Sequence, residues 1–158
     1  NISKKKCQFV AVMVKPDTKD FEIIKDLPFD YYQIYDCNPD EIKSIRTKYK
    51  KKIISAITVE KKDDIDKYKD FISVSDIILF DSKGYEKSLS YDHNLLNEIP
   101  NNINKMIAGN IQFDDDIEKF KNICNYIDIS GGLETSGLKD ISKIEIFLNK
   151  IKNLNNET

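Results

Sequence analysis

The strongest constraint on the fold of this chain is a regular alternation of apolar strands and helices. The first apolar run, at residues 8–14, reads QFVAVMV, and such a valine-rich run is typical of a strand covered on both faces. Further strands are predicted at 30–35, 53–59, 76–80, 105–108 and 126–130, and helices at 18–25, 38–49, 63–72, 93–97, 114–124 and 141–154. Repeated strand-then-helix units with short connections predict parallel strands joined by right-handed crossovers.

Two architectures satisfy this order, an open doubly wound sheet and a β/α barrel. An open flavodoxin-like sheet commonly has five strands, whereas six units with polar or glycine-rich strand ends favour the barrel. With 158 residues and 40% apolar content, the chain fits one domain better than two. We therefore predict an α/β fold with a single partial barrel domain at residues 1–153 and a disordered tail at 154–158.

Composition excludes several functional classes. The formal net charge is only −2 and the lysines are dispersed along the chain, so we expect no nucleic-acid partner. Cys7, Cys37 and Cys124 lie far apart without Cys-x-x-Cys spacing, which predicts no disulfide framework, no zinc site and a cytoplasmic location with reduced thiols. No apolar run approaches the roughly 20 residues that span a bilayer, so no membrane partner is expected. The run 114–116, three aspartates, is interpreted as complementing a helix N-terminus, not as a metal site.

A glycine-rich segment follows the last predicted strand. Ile127 and Ile129 alternate with polar residues, and Gly131 and Gly132 come directly after them. Without side chains the backbone there can approach a ligand closely, and a helical turn starting near Ser130 would direct free N–H groups at an anion. The sequence therefore favours a phosphate site at this strand end over a tight turn with no ligand.

Several strand ends resemble those of phosphoribosylanthranilate isomerase, a barrel enzyme of tryptophan biosynthesis. The segments that carry the resemblance are 10–16, 29–35, 77–82 (IILFDS), 107–110 (IAGN) and 128–140 (DISGGLETSGLKD), which are similar to the family's third, fourth, sixth, seventh and eighth strands. The fourth-strand segment departs from the family pattern. The family usually has Gln-Leu-His-Gly there, and this chain has Tyr35 and Asp36 in place of the His and Gly. The resemblance implies a TIM (β/α)8 barrel, of which this sequence contains about six units and lacks the first two.

The resemblance also implies a reaction. The family converts N-(5-phosphoribosyl)anthranilate into 1-(2-carboxyphenylamino)-1-deoxyribulose 5-phosphate by an Amadori rearrangement, without a cofactor or a metal. A general acid opens the ribose ring and a general base then removes the C2 proton. By resemblance the acid is Asp81, the phosphate-binding residues are Gly109, Asn110, Ser130, Gly131 and Gly132, and further substrate contacts come from Gln33 and Glu134. Judged from the pattern alone, Asp81 could equally cap the next loop.

The family's base is a cysteine in a Lys-x-Cys-Gly motif at the end of strand one, and this sequence has no such motif. Two hypotheses follow: the chain is most of an isomerase whose first quarter is encoded upstream, or it is a non-catalytic truncated barrel that retains a phosphate site. A third, weaker one is a response-regulator-like domain with Asp81 as phosphoacceptor. Because six strands cannot close an eight-stranded barrel, we also expect exposed sheet edges at 8–14 and 126–130 and a possible homodimer through them.

Overall fold

A computed structural model of the chain describes residues 7–82 and 91–156. Its centre is a parallel sheet of six strands in the order β1-β2-β3-β4-β5-β6, so every strand pairs with its neighbours along the chain. The strands are β1 (Val10–Val14), β2 (Tyr31–Tyr35), β3 (Lys52–Val59), β4 (Ile77–Ser82), β5 (Lys105–Ile107) and β6 (Tyr126–Ile127). The parallel α/β class predicted from the sequence is confirmed.

The first two helices begin where the sequence places capping residues. The helices are α1 (Thr18–Ile24), α2 (Pro39–Tyr49), α3 (Lys62–Ile65), α4 (Tyr68–Phe71) and α5 (Ile141–Asn156), with 3₁₀-helices at His93–Glu98 and Glu118–Phe120. Asp17 caps α1 and Asn38 caps α2, each through a reciprocal capping box. Pro39 occupies the first turn of α2, where its missing N–H costs no hydrogen bond.

Helix packing distinguishes between the two predicted architectures. Side chains from α1, α2, α4 and α5, namely Phe21, Ile42, Tyr68 and Phe147, pack in clusters with one face of the sheet. The opposite face has its own cluster, built from Tyr35, Ile54, Ile77, Leu79 and Ala108 without any buried helix residue. A doubly wound sheet needs helices on both faces, so this one-sided arrangement is that of a barrel wall.

The ends of the sheet are open in the part of the chain that the structure describes. Strand β1 pairs with β2 and strand β6 pairs with β5, which leaves one side of each strand at a sheet edge. Val10, Val12 and Val14 point to the face opposite the helices and are 37%, 62% and 49% exposed. The predicted exposed edge at the first strand is therefore present.

Several predicted elements differ from the observed ones. The helix predicted at 114–124 is a turn followed by one short 3₁₀-helix, because the carboxylates of Asp115 and Asp116 accept hydrogen bonds from the backbone N–H groups of Gln112 and Glu118. Such local bonds compete with helix formation. The helix predicted at 63–72 is split into α3 and α4, and the last strand is shorter than predicted.

The C-terminal part adds two features that the sequence analysis did not predict. A small antiparallel hairpin, β7 (Glu134–Thr135) with β8 (Leu138–Lys139), follows the glycine segment. Helix α5 continues to Asn156, so residues 154–156 of the predicted disordered tail are helical. Among the described residues, none of the helices is long and apolar enough to cross a membrane.

Candidate active site

A polar cleft of about 650 Å³ lies at the carboxyl ends of the strands. It contains all of the residues that the sequence predicted for the site, which are Gln33, Asp81, Gly109, Asn110, Ser130, Gly131, Gly132 and Glu134. Tyr35 and Asp128, which the sequence analysis did not assign to the site, also line it. The structure thus brings together side chains that are up to about a hundred residues apart in the chain.

Strand alternation explains why the polar side chains point into this cleft. Gln33 and Tyr35 are two residues apart on β2 and therefore share a face, as do Leu79 and Asp81 on β4. Tyr35 and Leu79 belong to the cluster on the face without helices. Gln33 and Asp81 point to that same face, so they lie beside this apolar cluster and line the cleft.

Two of the carboxylates of the cleft, those of Asp81 and Asp128, are joined by a chain of side-chain hydrogen bonds. The Tyr35 hydroxyl donates to Asp81 Oδ2 at 2.9 Å, and the backbone N–H of Ser82 donates to Asp81 Oδ1 at 2.8 Å. The Gln33 amide Nε2 donates to the Tyr35 hydroxyl and to Asp128 Oδ2, both at 3.3 Å. The bond from Ser82 is the local cap that the pattern allowed for Asp81, and the other carboxyl oxygen accepts from Tyr35 in the cleft.

Burial changes the acidity of these groups. Desolvation raises the pKa of the Asp81 carboxyl above its usual range, and the nearby Asp128 charge raises it further, while the bonds from Tyr35 and Ser82 act in the opposite direction. Burial likewise raises the pKa of Asp128, partly offset by the Gln33 bond and by Lys139. Burial, together with the Asp81 charge, raises the pKa of Tyr35, so its hydroxyl stays protonated and able to donate. A carboxyl group with a raised pKa is suited to giving up a proton near neutral pH.

The loops after β5 and β6 form the other half of the cleft. Gly109 has φ +96° and Asn110 has φ 53°, so both adopt left-handed conformations, as the sequence analysis allowed for Asn110. Gly132 forms a parallel bridge with Gln112. An added Cβ at Gly132 would lie 2.2 Å from the carbonyl oxygen of Ile111, so only glycine lets these loops approach so closely.

The segment after β6 forms the turn that was expected there. Leu133 N–H donates to the Ser130 carbonyl and Glu134 N–H to the Gly131 carbonyl, both at 3.0 Å, which makes two successive turns of 3₁₀ type. The hairpin then returns Lys139 to this segment, where its ammonium donates to Ser130 Oγ at 3.0 Å and to Glu134 Oε1 at 2.6 Å. Lys139 therefore supplies a cation beside the glycine loop, and Glu134, which was predicted to contact the substrate, forms an ion pair with it.

The cysteines lie elsewhere. Cys7 is exposed ahead of β1, at the end of the sheet opposite the cleft. Cys37 follows β2 but lines a separate cavity between α1 and α2, and burial raises the pKa of its thiol. Cys124 precedes β6. Within residues 7–82 and 91–156, neither a cysteine in the cleft nor a cluster of three or more potential metal ligands is found.

Tyr35, Asp128 and Lys139 are the site residues that the sequence analysis missed. Tyr35 had a signal, because it ends the strand predicted at 30–35 and functional groups of parallel sheets lie at the carboxyl ends of strands. Asp128 lies in the middle of the strand predicted at 126–130, and it follows a strand end only because β6 stops at Ile127. Lys139 had no signal, since its position depends on a hairpin that the sequence analysis did not predict. A larger cavity of about 760 Å³ lies between β6 and α5, but it is mostly apolar and contains none of the predicted site residues.

Comparison with known proteins finds sequence similarity to one enzyme family. The family model described as PRAI, N-(5'phosphoribosyl)anthranilate (PRA) isomerase, matches residues 1–150. A relative from Rhizobium rhizogenes named N-(5'-phosphoribosyl)anthranilate isomerase is 28% identical over 157 residues, covering 92% of this chain and 71% of the relative.

Solved structures agree in fold. Monomers generated from the dimeric phosphoribosylanthranilate isomerase of Thermotoga maritima match with a TM-score of 0.75 at 18% identity, covering 92% of this chain and 73% of that one. A phosphoribosylanthranilate isomerase in complex with reduced 1-(o-carboxyphenylamino)-1-deoxyribulose 5-phosphate matches with a TM-score of 0.73 at 18% identity, covering 91% and 71% of the two chains.

Proposed function

This chain belongs to the N-(5'-phosphoribosyl)anthranilate isomerase family, and we propose that its cleft binds the phosphorylated sugar with Asp81 as the general acid. The resemblance noted in the sequence is thereby confirmed at the level of the family. The chain is accordingly an isomerase of tryptophan biosynthesis that acts on N-(5'-phosphoribosyl)anthranilate. The proposed site is supported by one observation: the half-buried carboxyl group of Asp81 and two glycine loops line the same cleft.

Asp81 has the properties that ring opening requires. The protonated carboxyl gives its proton to the ribose ring oxygen, the C1–O bond breaks, and the anilino nitrogen lone pair forms the C1=N double bond. The carboxylate that remains accepts the hydrogen bond from the Ser82 N–H, which compensates part of its burial. A base then removes the C2 proton to give the enolamine, which tautomerises to the ketone. The family resemblance implies a cysteine for that step, and no cysteine among the described residues lines the cleft.

The phosphate group would bind between the loops after β5 and β6. Backbone N–H groups around Gly109 and Asn110 and around Ser130 to Gly132 can bind its oxygens, because both loops open onto the same cleft. Lys139 adds a positive charge at 3.0 Å from the Ser130 hydroxyl. Gln33 and Asp128, which are hydrogen-bonded to each other and line the same cleft, can bind the sugar hydroxyls.

The oligomeric state and the cellular location of the protein are also part of the proposal. We infer a homodimer through the sheet edges, supported by the exposed valines of β1 and by the similarity in fold to the phosphoribosylanthranilate isomerase of Thermotoga maritima, which is dimeric. The free cysteines support a cytoplasmic location, where thiols stay reduced. Family membership does not favour the non-catalytic alternative or the response-regulator hypothesis.

Substitution of Asp81 by asparagine tests the proposed acid. The purified protein is assayed by loss of phosphoribosylanthranilate fluorescence, and D81N is expected to lower kcat by about 10²- to 10⁴-fold, the usual contribution of a general acid. Asp63, an exposed residue in the first turn of α3, provides the matched control D63N, which should leave the rate unchanged. Turnover by D81N equal to that of the unmodified protein would refute the role of Asp81. Tight binding of a product analogue without turnover in the unmodified protein would instead support the non-catalytic alternative.

A further inference from the structure

Tyr35 makes a direct side-chain hydrogen bond to the proposed acid. Its hydroxyl donates to Asp81 Oδ2 at 2.9 Å and accepts from the Gln33 amide at 3.3 Å. The residue is 7% exposed, and its ring packs in the cluster with Ile54 and Leu79 on the face without helices. Because the ring is enclosed on this face, the hydroxyl is held at a fixed place relative to Asp81.

The contact connects two strands that are not neighbours. Tyr35 lies at the end of β2 and Asp81 near the end of β4, and β3 runs between them. The phenol of Tyr35 is long enough to reach across β3 and donate to the carboxylate of Asp81. The family pattern has a histidine at the position of Tyr35, so the phenol is a feature of this chain.

We propose that Tyr35 is a positioning residue for the Asp81 general acid, whose hydroxyl orients the carboxyl group and stabilises the carboxylate left after proton transfer. The proposal rests on the function assigned above. The hydroxyl keeps its own proton and forms no bond to the substrate. Its effect is to make Asp81 a stronger acid than burial alone would allow, at a fixed orientation toward the ring oxygen.

The surrounding charges define the direction of the effect. Among the described residues, the titratable groups that act on Asp81 are Tyr35 from β2 and Asp128 after β6, and Lys139 acts in turn on Asp128. The Asp81 charge itself raises the pKa of Tyr91, which lies ahead of the first 3₁₀-helix. Asp128 and burial both disfavour the ionised form of Asp81, and the bonds from Tyr35 and Ser82 favour it. Removing the Tyr35 hydroxyl deletes one of these two donors, so the pKa of Asp81 must rise.

The test measures the Asp81 carboxyl directly, so that it does not depend on turnover. Protein with ¹³C-labelled aspartate is titrated by NMR, and the Asp81 signal is assigned from its loss in D81N. In Y35F the pKa of Asp81 is expected to rise by about one unit, a tenfold change in its dissociation constant. Replacing Tyr35 with 3,5-difluorotyrosine makes the hydroxyl a stronger donor and should shift the pKa of Asp81 downward.

Tyr32 provides the matched control. It lies on the same strand, is fully buried on the helix-covered face, and its hydroxyl has no hydrogen-bond partner among the described residues. Y32F therefore removes the same atom from the same strand and should leave the pKa of Asp81 unchanged. In the kinetic assay, Y35F should lower kcat about threefold to tenfold with KM changed less than twofold. The high-pH limb, on which Asp81 loses its proton, should move upward by about one unit.

The outcomes separate this inference from the assigned function. If D81N abolishes turnover but Y35F and the fluorinated variant leave the Asp81 titration where it was, the inference is overturned and the acid assignment stands. In a second outcome, the Asp81 pKa shifts as expected in the Tyr35 variants but D81N retains full turnover. The contact between Tyr35 and Asp81 would then be real, but Asp81 would not take part in catalysis, and the positioning role would be overturned. An equal shift in Y32F would mean that general loosening of β2 causes it, and this too would overturn the proposal.

Discussion

Replacing Gly132 with alanine should separate the two loops that form the glycine half of the cleft. The new Cβ would lie 2.2 Å from the carbonyl oxygen of Ile111 and 2.9 Å from the Cα of Gln112. Both are backbone atoms, so no side-chain rotation can relieve the clash, and the loop after β5 must move. Overpacking of this kind costs about 1–3 kcal/mol, and the bridge to Gln112 is lost as well. We therefore expect G132A to lose about 2–3 kcal/mol of unfolding free energy.

Gly131 is the matched control for this experiment. An added Cβ at Gly131 would have no atom within 4 Å, and its φ is not positive. G131A should therefore lie within about 0.5 kcal/mol of the unmodified protein, as surface substitutions generally do. In urea unfolding, G132A should shift the midpoint downward by about 1 M, since slopes for small proteins are about 1–3 kcal/mol per molar.

Ligand binding adds a second readout for the same pair. Separated loops hold the N–H groups proposed to bind phosphate too far apart, so the Kd of G132A for inorganic phosphate, measured by calorimetry, should rise about tenfold. If G131A and G132A unfold at the same urea concentration, the two loops do not approach each other closely in the protein, and Gly132 is not required for their packing.

Three further predictions concern single residues. Asn110 adopts φ 53°, so N110A should lose about 1 kcal/mol of stability in thermal unfolding and N110G almost none; equal losses would contradict the left-handed conformation. Tyr32 buries a hydroxyl with no partner among the described residues, so Y32F should be neutral or more stable in urea by up to about 1 kcal/mol, and a clear loss would reveal a hidden partner. Lys67 and the N–H groups of Glu60 and Lys61 hold the pKa of Asp64 at about 2. Because this pKa is below the unfolded value of about 3.9, the Asp64 carboxylate stabilises the fold above pH 4, and this stabilisation is lost as pH falls toward 2. D64N should therefore make the unfolding free energy less dependent on pH between 4 and 2. An unchanged pH dependence in D64N would exclude this contribution of Asp64.

Much of the fold was predictable because it depends on local patterns. Strand positions followed from apolar runs, and the starts of α1 and α2 followed from Asp17 and Asn38, whose side chains bond within three residues of themselves. The parallel arrangement of the strands followed from the alternation of strands and helices alone. The site followed in turn, since the carboxyl ends of neighbouring parallel strands must lie together, and Asp81, Gly109 and Gly131 come at those ends.

The features that were not predicted depend on interactions whose relative strengths cannot be judged from the sequence. The acidic run around Asp115 suits a helix N-terminus, but the same carboxylates can bond to nearby N–H groups in a turn, and the turn prevailed. Tyr35 was recognisable as the end of a predicted strand and as a departure from the family pattern, but its bond to Asp81 was not predictable. Its role depends on a contact across an intervening strand, and the distance between β2 and β4 becomes known only when the sheet is formed.

The strictly sequential order of the strands has a consequence for how the chain folds as it emerges from the ribosome. Each new strand can pair with the one synthesised just before it, so every addition closes only a short loop and the contact order stays low. The glycine half of the cleft is the exception, because Gly132 must meet the loop after β5 and does so only once β6 has paired. The proposed affinity for phosphate should therefore appear only after β6 has joined the sheet, and in a single step.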